Sequence, residues 1–190
     1  MQINKLKYKP LTIKNWKDFE NLFGQNGACG GCWCMLWRLK RSLYEDQKGE
    51  QNKSAMYDLV KSGNEPGIIA YVGKEPVGWC ALSLRDNYPA LERSRVLKKV
   101  DDQQVWSIAC FFINKKYRKQ GISVELLKFA IEYCKNKGAS ILEGYPVEPK
   151  NDKMPAVFAW TGIASAYLKA GFTEVARRSE TRPIMRFKIK

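Results

Sequence analysis

Between Val105 and Tyr145 the chain reads strand, helix, strand, with short connections. Val105 to Ile113 (VWSIACFFI) is the longest apolar run and is strand-sized, which suits a strand at the centre of a sheet with both faces covered. From Gly121 to Lys137, Val124, Leu127, Ile131 and Cys134 recur at spacings of three and four, a helix with one core-facing stripe. Gly138 stops that helix, and Ala139 to Tyr145 returns as a strand. Such a unit favours two parallel neighbouring strands joined by a right-handed crossover.

The flanking segments build outward from it. Tyr8 to Ile13 reads as a first strand, and Lys14 to Phe23 as a helix with Trp16, Phe19 and Phe23 at helical spacing, stopped by Gly24. Leu43 to Ser62 is polar and helical, with Met56, Leu59 and Val60 on its apolar side. Ile68 to Val72 and Val77 to Leu84 form a hairpin around Gly73-Lys74-Glu75-Pro76. Pro89 to Val100 is a short helix with a loop, and a second loop runs from Pro146 to Pro155. Thr161 is placed to N-cap a helix through Lys169, with Gly171 past its end. Phe172 to Arg178 and Pro183 to Ile189 close as two antiparallel strands. The sum is one mixed α/β domain over residues 1–190 with a single central sheet.

The junction inside the first unit, INKKYRKQGISVELL from Ile113 to Leu127, sets Lys115, Lys116, Arg118 and Lys119 just ahead of Gly121. It is either a solvated loop or a site for something strongly negative. The first turn of a helix offers amides without internal partners, and the helix dipole is positive there. An anion is stabilised at that end, and a glycine lets backbone approach it closely. The whole chain has 33 lysines and arginines against 19 aspartates and glutamates, a formal charge of +14, which makes an anionic ligand or surface reasonable without choosing one. There is no histidine, which removes a Ser-His-Asp triad, a His-assisted cysteine nucleophile and any metal site containing histidine. No stretch approaches the roughly 20 apolar residues of a membrane helix, and MQINKLKYKPLTI has no apolar core of a secretory signal, so the expected location is the cytoplasm.

Arg118-Lys119-Gln120-Gly121-Ile122-Ser123, in this order of elements, resembles the pyrophosphate-binding turn of the GNAT superfamily of acyl-CoA-dependent N-acyltransferases. Ser123 stands where that family usually has Gly or Ala. Tyr167-Leu168-Lys169-Ala170-Gly171-Phe172 is similar to a second family motif at a helix end. Gly31 to Met35 (GCWCM), Glu143 to Val147 and the segment from Ala176 to Met185 resemble a bacterial branch of the same superfamily. The resemblance implies a mostly antiparallel central sheet whose one parallel strand pair splays at the cofactor site. It implies acetyl-CoA as cosubstrate and direct transfer of its acetyl group to a primary amine of a small molecule or peptide.

The resemblance also carries residue roles. Arg118, Lys119, Gln120, Gly121, Ile122 and Ser123 would bind the coenzyme A pyrophosphate, and Lys115, Lys116 and Lys119 are placed to meet further phosphates. Backbone amides of Phe111, Phe112 and Ile113 would polarise the thioester, since their side chains are apolar. Tyr167 would protonate the departing thiolate, against the plainer reading that it packs on the sheet. Glu143 is the candidate base, with Glu148 behind it; alternatively Glu143 pairs with a cation and holds structure, or the amine arrives neutral. Trp33, Trp37 and Arg38 would line the acceptor wall, or the tryptophans are core.

Two other classes stay in view. A basic nucleic-acid-binding domain needs its cations on one face with aromatics interleaved, whereas here they spread over both termini, the turn and a helix end. Cys29, Cys32 and Cys34 suggest a metal or redox sensor, yet no second CxxC and no histidine completes a zinc set. The expectation is therefore no metal, no membrane partner, and a monomer or homodimer.

Overall fold

The computed structural model describes residues 6–150 and 158–190, so part of the predicted Pro146 to Pro155 loop lies outside the described residues. Seven strands are formed: β1 Lys7–Pro10, β2 Gly67–Val72, β3 Glu75–Leu84, β4 Trp106–Ile113, β5 Ile141–Gly144, β6 Thr173–Arg177 and β7 Pro183–Lys188. They make one sheet in the order β1-β2-β3-β4-β5-β7-β6. All neighbours are antiparallel except β4 and β5, as the strand–helix–strand reading requires. The helices are α1 Trp16–Phe23, α2 Arg41–Asp46, α3 Glu50–Lys61, α4 Pro89–Glu92, α5 Ile122–Asn136 and α6 Ala164–Lys169. None of the described helices is long and apolar enough to cross a membrane.

Helices α5 and α6 cover one face of the sheet through Leu126, Leu127, Ala130, Tyr167 and Phe172. On the other face, α1 and α3 bury Phe19, Phe23 and Met56 against Ile69, Tyr71 and Trp79. A smaller cluster on that same side joins Tyr88, Leu91 and Leu97 to Ala109, Tyr145 and Ile184.

Two expectations are corrected. The predicted helix from Leu43 to Ser62 is two helices, α2 and α3, broken at Gly49 with φ 92°. The break is made by a distant contact: the Gly49 N–H donates to the Gly31 carbonyl at 3.0 Å, and a side chain on Gly31 would overlap Gly49. Nor does Thr161 cap α6, which starts three residues later after Ile163. Its hydroxyl instead accepts from Arg182 Nη1 at 3.3 Å.

The parallel pair is short. β4 and β5 match only at Trp106 with Leu142, Ser107 with Glu143 and Ile108 with Gly144. Three features end it. Ala109 is an extra residue in β4, between Ile108 opposite Leu82 and Cys110 opposite Ala81, and such a bulge bends a strand. The Tyr167 ring occupies the place where a Gly144 Cβ would stand. Two residues beyond Gly144, Pro146 has no N–H to continue a ladder.

Below the divergence a buried ion cluster ties the strands. Glu143 is fully buried, and Arg85 and Arg186 nearly so. Arg85 Nη1 donates to Glu143 Oε1 at 3.0 Å and Arg186 Nε to Oε2 at 2.7 Å. Tyr145 donates to Oε1 at 2.7 Å and shares a 2.7 Å bond with Ser107 Oγ. Arg186 also grips Asp101 at 2.6 and 3.0 Å, which holds that carboxyl below its usual range.

Breaking one partner of a buried ion pair costs about 3–5 kcal/mol because the other charge stays buried. Glu143→Gln removes the buried carboxylate shared by two arginines, which keep Glu92 and Asp101, and is expected to lower the unfolding free energy by about 3 kcal/mol in urea titration. Gly144→Ala overpacks Tyr167 and is expected to cost roughly 2 kcal/mol, a fall in Tm of about 4–8 °C by calorimetry. A melting point equal to wild type in Gly144→Ala would show that the ring does not press on that backbone.

Candidate active site

The turn between β4 and α5 is shaped by its own side chains. A single 3-10 turn, Lys115–Tyr117, is started by Asn114, whose Oδ1 accepts from the Lys116 amide at 3.1 Å. Gln120 Nε2 reaches back to the Lys116 carbonyl at 2.9 Å, and Arg118 Nε to the Ile113 carbonyl at 3.0 Å. Lys119 and Gly121 both take left-handed backbone angles, φ 59° and φ 81°. These bends turn the chain sharply into α5. Among the described residues, the amides from Lys119 to Ser123 have no protein acceptor, and the space beside Gly121 Cα is open. Lys115, Lys116, Arg118 and Lys119 have no carboxylate partner among the described residues. Five contiguous donors at a helix N-terminus within a basic rim form an anion cradle.

Beside the cradle lies a cavity of about 330 Å³. Its lining combines Arg118, Lys119 and Ser123 with Phe111, Phe112 and Ile113 of β4, with Trp160, Gly162 and Ile163, and with Ala28 and Cys29. The predicted cofactor residues thus divide. Arg118, Lys119, Ser123 and the three β4 residues line one cavity, while Ile122 is buried and packs in the core.

The strand amides divide as well. Asn114 N–H donates to the Val77 carbonyl at 3.0 Å. Alternation along an antiparallel ladder then places the Phe112 amide in the β3 pairing and turns those of Phe111 and Ile113 toward the gap. Phe111 N–H meets the Trp160 carbonyl at 2.6 Å. The segment carrying Trp160 also bonds the other side: Val147 N–H donates to the Gly162 carbonyl and Ala164 N–H to the Val147 carbonyl, both at 2.9 Å. It therefore fills the space between the parted strands.

Tyr167 is fully buried at the base of this gap. Its ring meets those of Phe111 and Phe172 at 6.2 and 5.0 Å, and its hydroxyl donates to the Thr161 carbonyl at 3.3 Å. Burial pushes that hydroxyl well above the ordinary tyrosine value. Neither Tyr167 nor Glu143 lines the cavity, and both oxygens of Glu143 accept from arginine. Glu148 binds Arg177 on the surface.

The acceptor-wall candidates separate too. Trp33 is core, stacked on Phe23 at 5.6 Å. Arg38 lies over the Tyr88 ring and donates to its hydroxyl at 3.2 Å. Trp37 stands at the boundary, stacked on Trp160 at 5.6 Å and 30°. Cys34 accepts from Trp79 Nε1 at 3.0 Å. Burial first, then Cys34, pushes the Cys32 thiol up to about 11, which disfavours a reactive thiolate. Among the described residues no group of three or more Cys, Asp or Glu could hold a metal. Sequence reasoning missed Trp160 and Gly162, since no local pattern ties them to β4.

Solved structures of the same fold place this site in context. The chain aligns over 97% of its length, and 99% of the other chain, with the PaiA N-acetyltransferase of Thermoplasma acidophilum in complex with coenzyme A, at TM-score 0.54 and 15% identity. An N-acetyltransferase from Staphylococcus aureus Mu50 aligns over 98% and 100%, at TM-score 0.56 and 11% identity. An aminoglycoside acetyltransferase in complex with coenzyme A aligns over 97% and 95%, at TM-score 0.53 and 15% identity. No curated protein matches by sequence. The family model for the GNAT acetyltransferases matches residues 33–170, from the cysteine-rich loop to the end of α6. With most of its length matched by that model, and the parted β4–β5 pair and the glycine turn in place, the chain belongs to the GNAT acetyltransferase family.

Proposed function

We propose that the protein transfers the acetyl group of acetyl-CoA directly to a primary amine. The observation that carries this reading is the run of acceptor-free amides from Lys119 to Ser123, opening beside a cavity walled by β4. The structural neighbours crystallised with coenzyme A support it.

In this reading the cradle amides bind the pyrophosphate, with Arg118 and Lys119 adding charge and Lys115 and Lys116 facing the remaining phosphate. The apolar wall of Phe111, Phe112 and Ile113 excludes water from the acyl group. Phe111 N–H, with Ile113 N–H as its neighbour on the same edge, polarises the thioester carbonyl. The Trp160 carbonyl now at Phe111 marks where such an oxygen sits. Aligned donors of this kind are worth about 3–4 kcal/mol of barrier each.

The amine attacks as the C–N bond forms and the C–S bond breaks. Its surplus proton goes to solvent, so the amine must arrive neutral, and Glu143 serves the strand pairing. Tyr167 gives its proton to the departing thiolate, and its phenolate regains one from the solvent that took the amine's proton. Burial raises the pKa of the hydroxyl, which keeps the proton in place across neutral pH. The bond that the hydroxyl exchanges in giving up its proton is the one to the Thr161 carbonyl.

Gly121→Glu puts a carboxylate among the cradle donors at a left-handed position, and is expected to weaken coenzyme A binding at least about 100-fold by calorimetry. Binding within threefold of wild type would refute the cradle. Tyr167→Phe keeps the ring packing and removes the hydroxyl. Its kcat is expected to fall about 10- to 100-fold in a thiol-release assay, with coenzyme A affinity within twofold. Unchanged kcat removes Tyr167 from the proton path.

A further inference from the structure

A second cavity, of about 440 Å³, lies on the other side of Trp37. Trp37 packs against the cluster that holds Tyr88, Leu91, Ala109 and Tyr145, on the sheet face opposite α5. Its ring stacks on Trp160, and Trp160 lines the first cavity. The two indoles thus form a shared wall between the cavities. The wall is anchored, since Ala90 N–H at the start of α4 donates to the Trp37 carbonyl at 3.2 Å. The Trp37 indole nitrogen is buried and has no acceptor among the described residues.

The charges of this second cavity are unbalanced. Arg41, at the start of α2, and Arg93, just past α4, both line it. Neither has a carboxylate or hydrogen-bonding partner among the described residues, whereas Arg85, Arg177 and Arg186 are held by carboxylates. The one carboxylate lining it, Glu45, is paired with Lys48. Leu36 and Trp37 give it an apolar floor.

Resting on the acetyltransferase reading, we infer that this cavity is the acceptor site and takes an amine that also carries a carboxylate. Arg41 and Arg93 hold the carboxylate by planar, charge-assisted bonds. The body lies on Leu36 and Trp37, and the amine points past the indole wall toward the thioester. A polycationic acceptor would meet two uncompensated arginines.

The test is a thiol-release assay with acetyl-CoA and matched amines: 6-aminohexanoate against hexylamine, phenylalanine against phenethylamine, with phosphoethanolamine and tobramycin beside them. The carboxylate member of each pair is expected to have at least tenfold higher kcat/KM, carried by KM, and Arg41→Gln and Arg93→Gln are each expected to raise that KM about tenfold. Equal or better turnover of the uncharged partners, of phosphoethanolamine or of tobramycin overturns the assignment, as does a double Arg41→Gln/Arg93→Gln variant that keeps the carboxylate preference. If no amine reacts, calorimetry with coenzyme A present compares 6-aminohexanoate and hexylamine directly, and equal binding overturns it. Failure of coenzyme A itself to bind overturns the acetyltransferase reading, and this inference with it.

Discussion

The contact of the Tyr167 ring with the bare backbone of Gly144 governs the shape of the site. A side chain at position 144 would push the ring away, and the ring in turn keeps β5 from following β4 upward. The bulge at Ala109 bends β4 at the same level. One parallel pair is thereby ended after three residue pairs, and a strand edge inside a sheet is left for other use. Both the cavity lining from β4 and the seat for the Trp160 segment depend on that early end.

The cradle and the ion cluster divide the labour along β4 and β5. Beneath the gap, Glu143, Arg85, Arg186 and Tyr145 lock the strands with charge that is matched and buried. Above it, donors are left without partners. Among the described residues the five amides from Lys119 to Ser123 are left open nearby, and in the proposed reading a ligand completes them.

What could be read from sequence follows from the range of the forces involved. Gly121 and the β2–β3 hairpin are local patterns, and the structure has them where the residues indicate; the α5 stripe is turned from the expected one, with Leu127 and Cys134 buried, Val124 and Ile131 only partly so, and Ile122, Leu126, Ala130 and Tyr133 in the core. Non-local contacts were not legible. Gly49 breaks a helix because Gly31 lies against it. Glu143 has the residue type of a base, and only the arginines 58 and 43 positions away occupy it. Trp33 and Trp37 are both apolar and four residues apart, yet one is core and the other faces a cavity wall. Trp160 meets β4 through its main-chain carbonyl, which no choice of side chain announces.

That carbonyl has a thermodynamic corollary. Any incoming acyl oxygen that uses the Phe111 amide replaces a bond already made within the molecule, so the count of hydrogen bonds at that atom is the same before and after. Net affinity must then come from phosphates and apolar contact, and the enzyme's grip on its donor is set far from the bond that is broken. In the proposed reading the tethered oxygen would act as an internal competitor, present at fixed effective concentration and independent of how much donor the solution holds.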